Sequence, residues 1–182
     1  MPAPRLSGRW LRAACASRSA QGADRLAGVR AARLLLHCRP IMTDIVRISP
    51  VEASQKLSEG WTYVDVRTTQ EFEAGHPAGA LNVPIAHREG PNPDFIRVMK
   101  ANFPTDAKIV VGCKSGTRSQ RAAQALVAEG FTNILDQRAG WDGTRSPFGE
   151  VAEAGWVLSG FPREDGAPAG RSWPDLRSKA TG

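Results

Sequence analysis

The chain has 182 residues, 41% of them hydrophobic, and a formal net charge of +6. This length favours one domain with appended sequence over two full domains, and no apolar run approaches the roughly 18 residues of a membrane-spanning helix. The excess charge lies in residues 1–41, which hold eight arginines and one acid, whereas residues 42–182 hold 16 basic and 17 acidic residues. The body of the chain therefore has no net charge that would favour nucleic acid or another polyanion as its partner.

Residues 1–41 are rich in arginine, alanine and serine, a composition typical of an organelle transit peptide. The alternative is that translation starts at Met42. In both cases we expect residues 1–41 to be a disordered leader outside the folded domain. The expected location is the cytoplasm, or a mitochondrion or another organelle if the leader is a true transit peptide. Cys113 is the only cysteine outside the leader, which argues against a disulfide-built extracellular fold.

From Met42 onward, short β-branched runs alternate with segments of helical periodicity. The predicted strands are residues 45–48, 62–66, 81–84, 108–112 and 133–136. The predicted helices run from a capping box at 49–52 to Gly60, from 94 to 101, and from about 118 to 129. This alternation predicts an α/β fold with a mainly parallel sheet and helices on both of its faces.

The segment from about Gly143 is rich in glycine, proline and serine, with aromatic residues spaced along it. Aromatic side chains at this density indicate that much of the segment lies against the domain. We expect the domain to span residues 42–162 and a loosely ordered C-terminal tail to occupy residues 163–182.

The strongest local pattern is a buried-looking strand that ends directly on Cys113, followed by a short loop and a helix. Ligands of parallel sheets bind outside the carboxyl ends of strands, and amide groups at a helix N-terminus attract anions. The same field favours the thiolate form of a cysteine. Cys113 is the candidate catalytic nucleophile. The candidate substrate-binding residues are Lys114, Ser115, Gly116, Thr117, Arg118 and Ser119. No metal ligand is predicted.

Two polar features elsewhere are interpreted as structural. Asp65 and Arg67 are expected to form a salt bridge that ties a strand to the loop. His76 lies between Gly75 and Pro77 in a turn-like stretch, where a structural hydrogen bond is a simpler role than proton transfer.

The run from Cys113 to Ser119 resembles the active-site loop of single-domain rhodaneses, the thiosulfate sulfurtransferase family. The resemblance extends to five further motifs in the same order along the chain. These are Asp65-Val66-Arg67, Glu71-Phe72, the run from Gly75 to Pro84, Gly140-Trp141, and the run from Gly155 to Pro162. Two places depart from the family pattern: Pro77-Ala78 replaces isoleucine-proline, and about a dozen residues separate Trp141 from Trp156.

The resemblance implies a rhodanese-like fold with a five-stranded sheet. It also implies sulfur transfer through a persulfide on Cys113, without a metal or an organic cofactor. The implied partners are a thiosulfate-like anion as donor and a thiol or sulfur-carrier protein as acceptor, and neither nucleic acid nor a membrane.

Two alternatives stay open. A non-enzymatic persulfide carrier or regulatory module of the same family would use the same fold. A phosphatase of related fold is disfavoured, because such enzymes place five residues between cysteine and arginine whereas four separate Cys113 from Arg118.

Overall fold

A computed structural model describes residues 44–181. The predicted leader therefore lies outside the described residues. None of the helices in the described part of the chain is long and apolar enough to span a bilayer. In chain order the elements are β1 (Val46–Ile48), α1 (Pro50–Ser58), β2 (Thr62–Asp65), α2 (Thr69–Glu73), β3 (His76–Pro77), β4 (Leu81–Asn82), β5 (Ala86–His87), β6 (Gly90–Pro91), α3 (Phe95–Asn102), β7 (Lys108–Gly112), α4 (Thr117–Ala128), β8 (Asn133–Gln137), β9 (Gly143–Arg145), β10 (Val151–Ala154), β11 (Arg163–Glu164) and α5 (Trp173–Ser178).

The central sheet has five strands in the order β1-β8-β7-β2-β4, and every neighbouring pair is parallel. Successive side chains of a strand point to opposite faces, so Val64 and Val111 enter one core cluster whereas Tyr63 and Val110 enter another. Helices α3, α4 and α5 supply buried residues to the first cluster, and α1 and α2 supply them to the second. The expected α/β fold with helices on both faces of a five-stranded parallel sheet is confirmed.

The C-terminal segment packs against the domain, which corrects the prediction of a loosely ordered tail after residue 162. Strand β11 pairs antiparallel with β3. In α5 the side chains of Trp173 and Leu176 are buried in the core cluster that contains α3 and α4. The side-chain amide of Asn102 also donates a hydrogen bond to the Leu176 carbonyl at 2.9 Å. Burial of these two large apolar side chains provides the free energy that orders the segment.

Candidate active site

Cys113 follows the last residue of β7, at the edge of the sheet where its parallel strands end. The Val66 amide donates to the Gly112 carbonyl at 2.9 Å, which continues the β2–β7 pairing up to this point. Cys113 is only 2% exposed and packs against the first core cluster. The sulfur therefore lies on the inner side of the loop, so that a reacting group has to enter the loop to reach it.

The carbonyl groups of the loop face the surrounding chain. The Cys113 carbonyl accepts a hydrogen bond from the Trp141 amide at 2.7 Å, and the Lys114 carbonyl accepts one from the Asp142 amide at 3.0 Å. The Gly116 carbonyl accepts a hydrogen bond from Arg47 Nη2 at 3.1 Å. Each of these acceptors is thus bound to the scaffold and is turned away from an incoming anion.

The amide groups of the loop lack such partners. Those of residues 114–119 donate to no acceptor within residues 44–181. They include the first amides of α4, where the helix dipole places partial positive charge. Unpaired amides that follow one another through a left-handed turn form an anion-binding concavity. The loop therefore offers donors for an anion at Cys113 without using a charged side chain.

Two glycines fix the shape of the loop. Gly116 has φ +84°, and a Cβ atom there would overlap the Arg138 carbonyl. A Cβ atom on Gly140 would overlap the peptide that joins Lys114 to Ser115. Only glycine permits these backbone approaches, because every other side chain begins with the atom that collides.

Arg118 is held by Glu71. Its Nη1 and Nη2 atoms donate to the two carboxylate oxygens of Glu71 at 2.7 and 2.8 Å. Glu71 also belongs to the capping box of α2, in which its carboxylate accepts from the Thr68 amide at 3.1 Å. The hydrogen bonds from Arg118 lower the pKa of Glu71 to about 2. The same bonds raise the pKa of Arg118.

The other predicted loop residues differ in exposure. Lys114 is exposed, and its Nζ lies 3.5 Å from Asp142 Oδ2. Ser115 and Thr117 are exposed. Ser119 is buried, and its side chain lies beside the Asp136 carboxylate. The predicted residues thus span the loop and the first turn of α4, and only some of them have exposed side chains.

The predicted salt bridge between Asp65 and Arg67 is present and buried, with Nη2 and Oδ2 2.6 Å apart. Arg67 also donates to the Gly75 carbonyl at 2.7 Å. Its guanidinium carbon lies 4.8 Å from the centre of the Trp141 ring, within the range of a cation–π contact. This arrangement joins the end of β2 to the segment that binds the Cys113 carbonyl.

His76 has a structural setting, as predicted. It is fully buried, its ring stacks on Phe72 with the ring centres 3.6 Å apart, and its Nδ1 lies 2.8 Å from the Phe72 carbonyl. These contacts are with the helix α2 and not with the loop.

The ion pair of Arg47 with Asp136 also supports the loop. Arg47 Nε donates to Asp136 Oδ2 at 2.6 Å, while Nη2 of the same arginine binds the Gly116 carbonyl. Burial raises the pKa of Asp136, and the hydroxyl of Ser119 and the guanidinium of Arg47 oppose that change. Arg47 therefore links β1, β8 and the start of α4.

A small cavity of about 190 Å³ opens beside the loop. It is lined by Arg67, Glu71, Ala74, Lys114, Trp141 and Asp142. Sequence reasoning assigned no site role to Glu71, Asp142 or Arg47. The pattern Thr68-Thr69-Gln70-Glu71 is a capping-box signature that could have placed Glu71 at a helix start. Asp142 and Arg47 carry no local signal.

Comparison with known proteins identifies the family of the chain. The family model described as a rhodanese-like domain matches residues 49–146. Senescence-associated protein DIN1 of Raphanus sativus is 39% identical over 97 residues, which cover 50% of this chain and 53% of that protein. Thiosulfate sulfurtransferase 16, chloroplastic, of Arabidopsis thaliana is 35% identical over 119 residues, which cover 63% of this chain and 89% of that protein. This chain thus spans about half the length of the first relative and most of the second.

The crystal structure of Rv0390 from M. tuberculosis superposes with a TM-score of 0.59 at 26% identity. The match covers 68% of this chain and 100% of that one. The expected fold and the resemblance noted in the sequence are thus confirmed, and the chain belongs to the rhodanese-like domain family.

Proposed function

We propose that this protein is a sulfurtransferase that carries a sulfane sulfur as a persulfide on Cys113. One observation carries the proposal: the loop carbonyls are bound outward while the amides of residues 114–119 have no acceptor within residues 44–181. Such an arrangement stabilises an anion at Cys113, and both the thiolate and the persulfide are anions. The relative named thiosulfate sulfurtransferase adds support, because it shares 35% identity over 119 residues.

The first half-reaction is attack by the Cys113 thiolate on the outer sulfur of the donor. With thiosulfate, the new bond joins the cysteine sulfur to that outer sulfur, and the old sulfur–sulfur bond breaks. The electron pair of the broken bond leaves with sulfite. Charge is conserved, because a thiolate and a dianion become a persulfide anion and sulfite. This is covalent catalysis, in which one transfer is divided into two displacements.

The second half-reaction returns the enzyme to its thiolate form. A thiophilic acceptor attacks the outer sulfur of the persulfide, and the electron pair returns to the cysteine sulfur. Cyanide would give thiocyanate, and a thiolate of a small molecule or of a carrier protein would give a new persulfide. The unpaired amides stabilise the negative charge throughout, since they are aimed before the reaction begins.

The side chains that flank Cys113 have different parts in this scheme. Arg118 is a positioning residue, because both of its terminal nitrogens are engaged by Glu71. Lys114 lies at the rim of the cavity, where its side chain is exposed and is paired with Asp142. Cys113 itself is buried, so the donor has to present a slim terminal sulfur to reach it.

The test is intact-protein mass spectrometry after incubation with thiosulfate. The wild-type protein should gain the mass of one sulfur atom, and cyanide should remove it with the release of thiocyanate. Cys113→Ser should gain nothing. A wild-type protein that gains no sulfur from thiosulfate or from a persulfide donor would overturn the proposal.

The same experiment separates an enzyme from a non-enzymatic carrier. An enzyme releases thiocyanate in many turnovers per molecule, whereas a carrier loads one sulfur and releases it only to a specific partner. A mass spectrum of protein purified from its own cells would also give the mature N-terminus. Cytoplasmic location, or import into an organelle with loss of residues 1–41, stays a prediction until that mass is known.

A further inference from the structure

Three cationic side chains near the loop are each paired with a carboxylate. The pairs are Lys114 with Asp142 at 3.5 Å, Arg118 with Glu71 at 2.7 Å, and Arg67 with Asp65 at 2.6 Å. Four of these six residues line the small cavity, and the other two, Arg118 and Asp65, each contact a residue that does. The formal charges of the three pairs cancel. The anion-binding capacity of the loop therefore resides in its amides, which carry no net charge.

Asp142 is the most exposed carboxylate of the three pairs. Its backbone amide donates to the Lys114 carbonyl at 3.0 Å, so its position is fixed to the loop itself. Its side chain is 45% exposed and that of Lys114 is 57% exposed, and both line the cavity. Glu71, in contrast, is fastened by Arg118 and by the cap of α2. Asp142 is thus the acidic group that an incoming donor meets beside the accessible lysine.

We propose that Asp142 is a specificity-determining residue that limits the use of doubly charged donors and favours sulfane-sulfur donors with a single negative charge. The inference rests on the proposed function, because it concerns the donor of that same site. Asp142 cancels the charge of Lys114. It thereby removes an electrostatic attraction that would strengthen the binding of a dianion more than that of a monoanion.

Coulomb's law gives the size of the effect. For charges about 8 Å apart in water, one unit of protein charge changes the binding constant of a singly charged donor about two-fold. At an effective dielectric constant half that of water, the change is about five-fold. For a dianion, the change in binding free energy is twice as large as for a monoanion. Removal of the Asp142 charge should therefore raise the preference for a dianion over a monoanion by about two- to five-fold.

The experiment compares thiosulfate, a dianion, with methanethiosulfonate, a monoanion that presents the same terminal sulfur on a sulfonyl group. The attack is also the same: the thiolate takes the terminal sulfur, and methanesulfinate leaves with the electron pair of the broken bond. The quantity measured is the ratio of kcat/KM for thiosulfate to that for methanethiosulfonate. This ratio cancels effects of a substitution that act equally on both donors.

The two variants Lys114→Gln and Asp142→Asn and the wild type differ in steps of one unit in the net charge beside the loop. The ratio should increase by about two- to five-fold from Lys114→Gln to wild type, and again from wild type to Asp142→Asn. Both steps should shrink in concentrated salt, because ions screen exposed charges. Asp106→Asn is the matched control. Asp106 is exposed, precedes β7 at the opposite edge of the sheet, and makes no side-chain ion pair within residues 44–181.

Each outcome has one meaning. A stepwise ratio with an unchanged Asp106→Asn control supports the assignment. If the wild type uses both donors but Asp142→Asn shifts the ratio no more than Asp106→Asn, the specificity role of Asp142 is wrong and the sulfurtransferase proposal stands. If the wild type takes sulfur neither from these two donors nor from any persulfide, the proposed function fails and this inference fails with it.

Discussion

Arg118 and Glu71 form a two-pronged ion pair across 47 residues of sequence, with distances of 2.7 and 2.8 Å. Arg118 lies in the first turn of α4 and Glu71 in the first turn of α2. A parallel pair of charge-assisted hydrogen bonds fixes orientation as well as distance. The pair therefore sets how the start of α4, and with it the loop amides, lies relative to the rest of the site.

Loss of either partner of this pair should damage sulfur transfer to a similar extent. We expect Arg118→Ala and Glu71→Gln each to lower kcat/KM about ten-fold or more, since such bonds contribute about 1.5–3 kcal/mol. Glutamine keeps the capping oxygen for α2, so its effect reports the pair and not the cap. The kcat/KM of the double variant should be no lower than that of the less active single variant, because the two residues act as a unit.

A steady-state assay of the four proteins checks this prediction. If Glu71→Gln keeps full activity while Arg118→Ala loses it, Arg118 acts on the donor directly and not through Glu71. A fully additive double variant would lead to the same correction.

The pKa of Glu71 makes a prediction about acid unfolding. Its folded value of about 2 lies below the ordinary value of 4.5, so the unfolded chain binds the proton more readily. The stabilisation is complete above about pH 4.5 and is lost as the pH falls towards 2. At pH 7 we expect Glu71→Gln to lower the free energy of unfolding by about 1–2 kcal/mol, a value reduced because the pair is partly exposed.

Urea unfolding at pH 7 and pH 3 measures this difference. The gap between wild type and Glu71→Gln should be smaller at pH 3. Glu89→Gln is the control, because Glu89 is exposed and makes no ion pair within residues 44–181. An equal gap at both pH values would show that Glu71 stabilises the fold through packing and not through its charge.

Gly116 provides a test of the loop geometry. Gly116→Ala should abolish sulfur loading, because its Cβ atom would overlap the Arg138 carbonyl and φ +84° is unfavourable for alanine. Gly130→Ala is a matched control, since Gly130 has φ +93° and nothing within 4 Å of a Cβ atom. The control should lose only about 1–2 kcal/mol of stability and keep its activity. Normal loading of Gly116→Ala would show that the loop shape does not limit the reaction.

The sequence predicted the parts of this site that are local in the chain. The strand that ends on Cys113, the glycine turn and the helix that follows are contiguous, so their spacing is readable directly. The brace from Arg47 to Gly116 and the pair of Arg118 with Glu71 join residues 69 and 47 positions apart. These contacts depend on strand order in the sheet, which residue patterns alone do not specify.

The C-terminal helix escaped prediction for a different reason. Helix α5 is six residues long, too short to show helical periodicity, and it follows a segment rich in glycine and proline. Its order comes from tertiary burial of two side chains, which is stronger than local propensity. Only the pairing of Trp173 with Leu176, three positions apart, marked one apolar face.

Leu176→Ala tests whether this helix is an integral part of the domain. Leu176 is 1% exposed in the cluster that also holds Cys113, so truncation removes buried methyl groups and leaves a cavity. We expect the free energy of unfolding to fall by about 2–5 kcal/mol. Leu158→Ala is the control, because Leu158 is 59% exposed and its truncation should change stability by less than about 0.5 kcal/mol.

Chemical denaturation of both variants, with sulfur loading measured in the absence of denaturant, completes the test. Leu176→Ala should load sulfur normally at temperatures where it stays folded, since α5 supplies none of the residues that line the cavity beside the loop. Equal stability of the two leucine variants would mean that α5 adds nothing to the core. Burial of Trp173 and Leu176 would then be a consequence of the fold and not one of its causes.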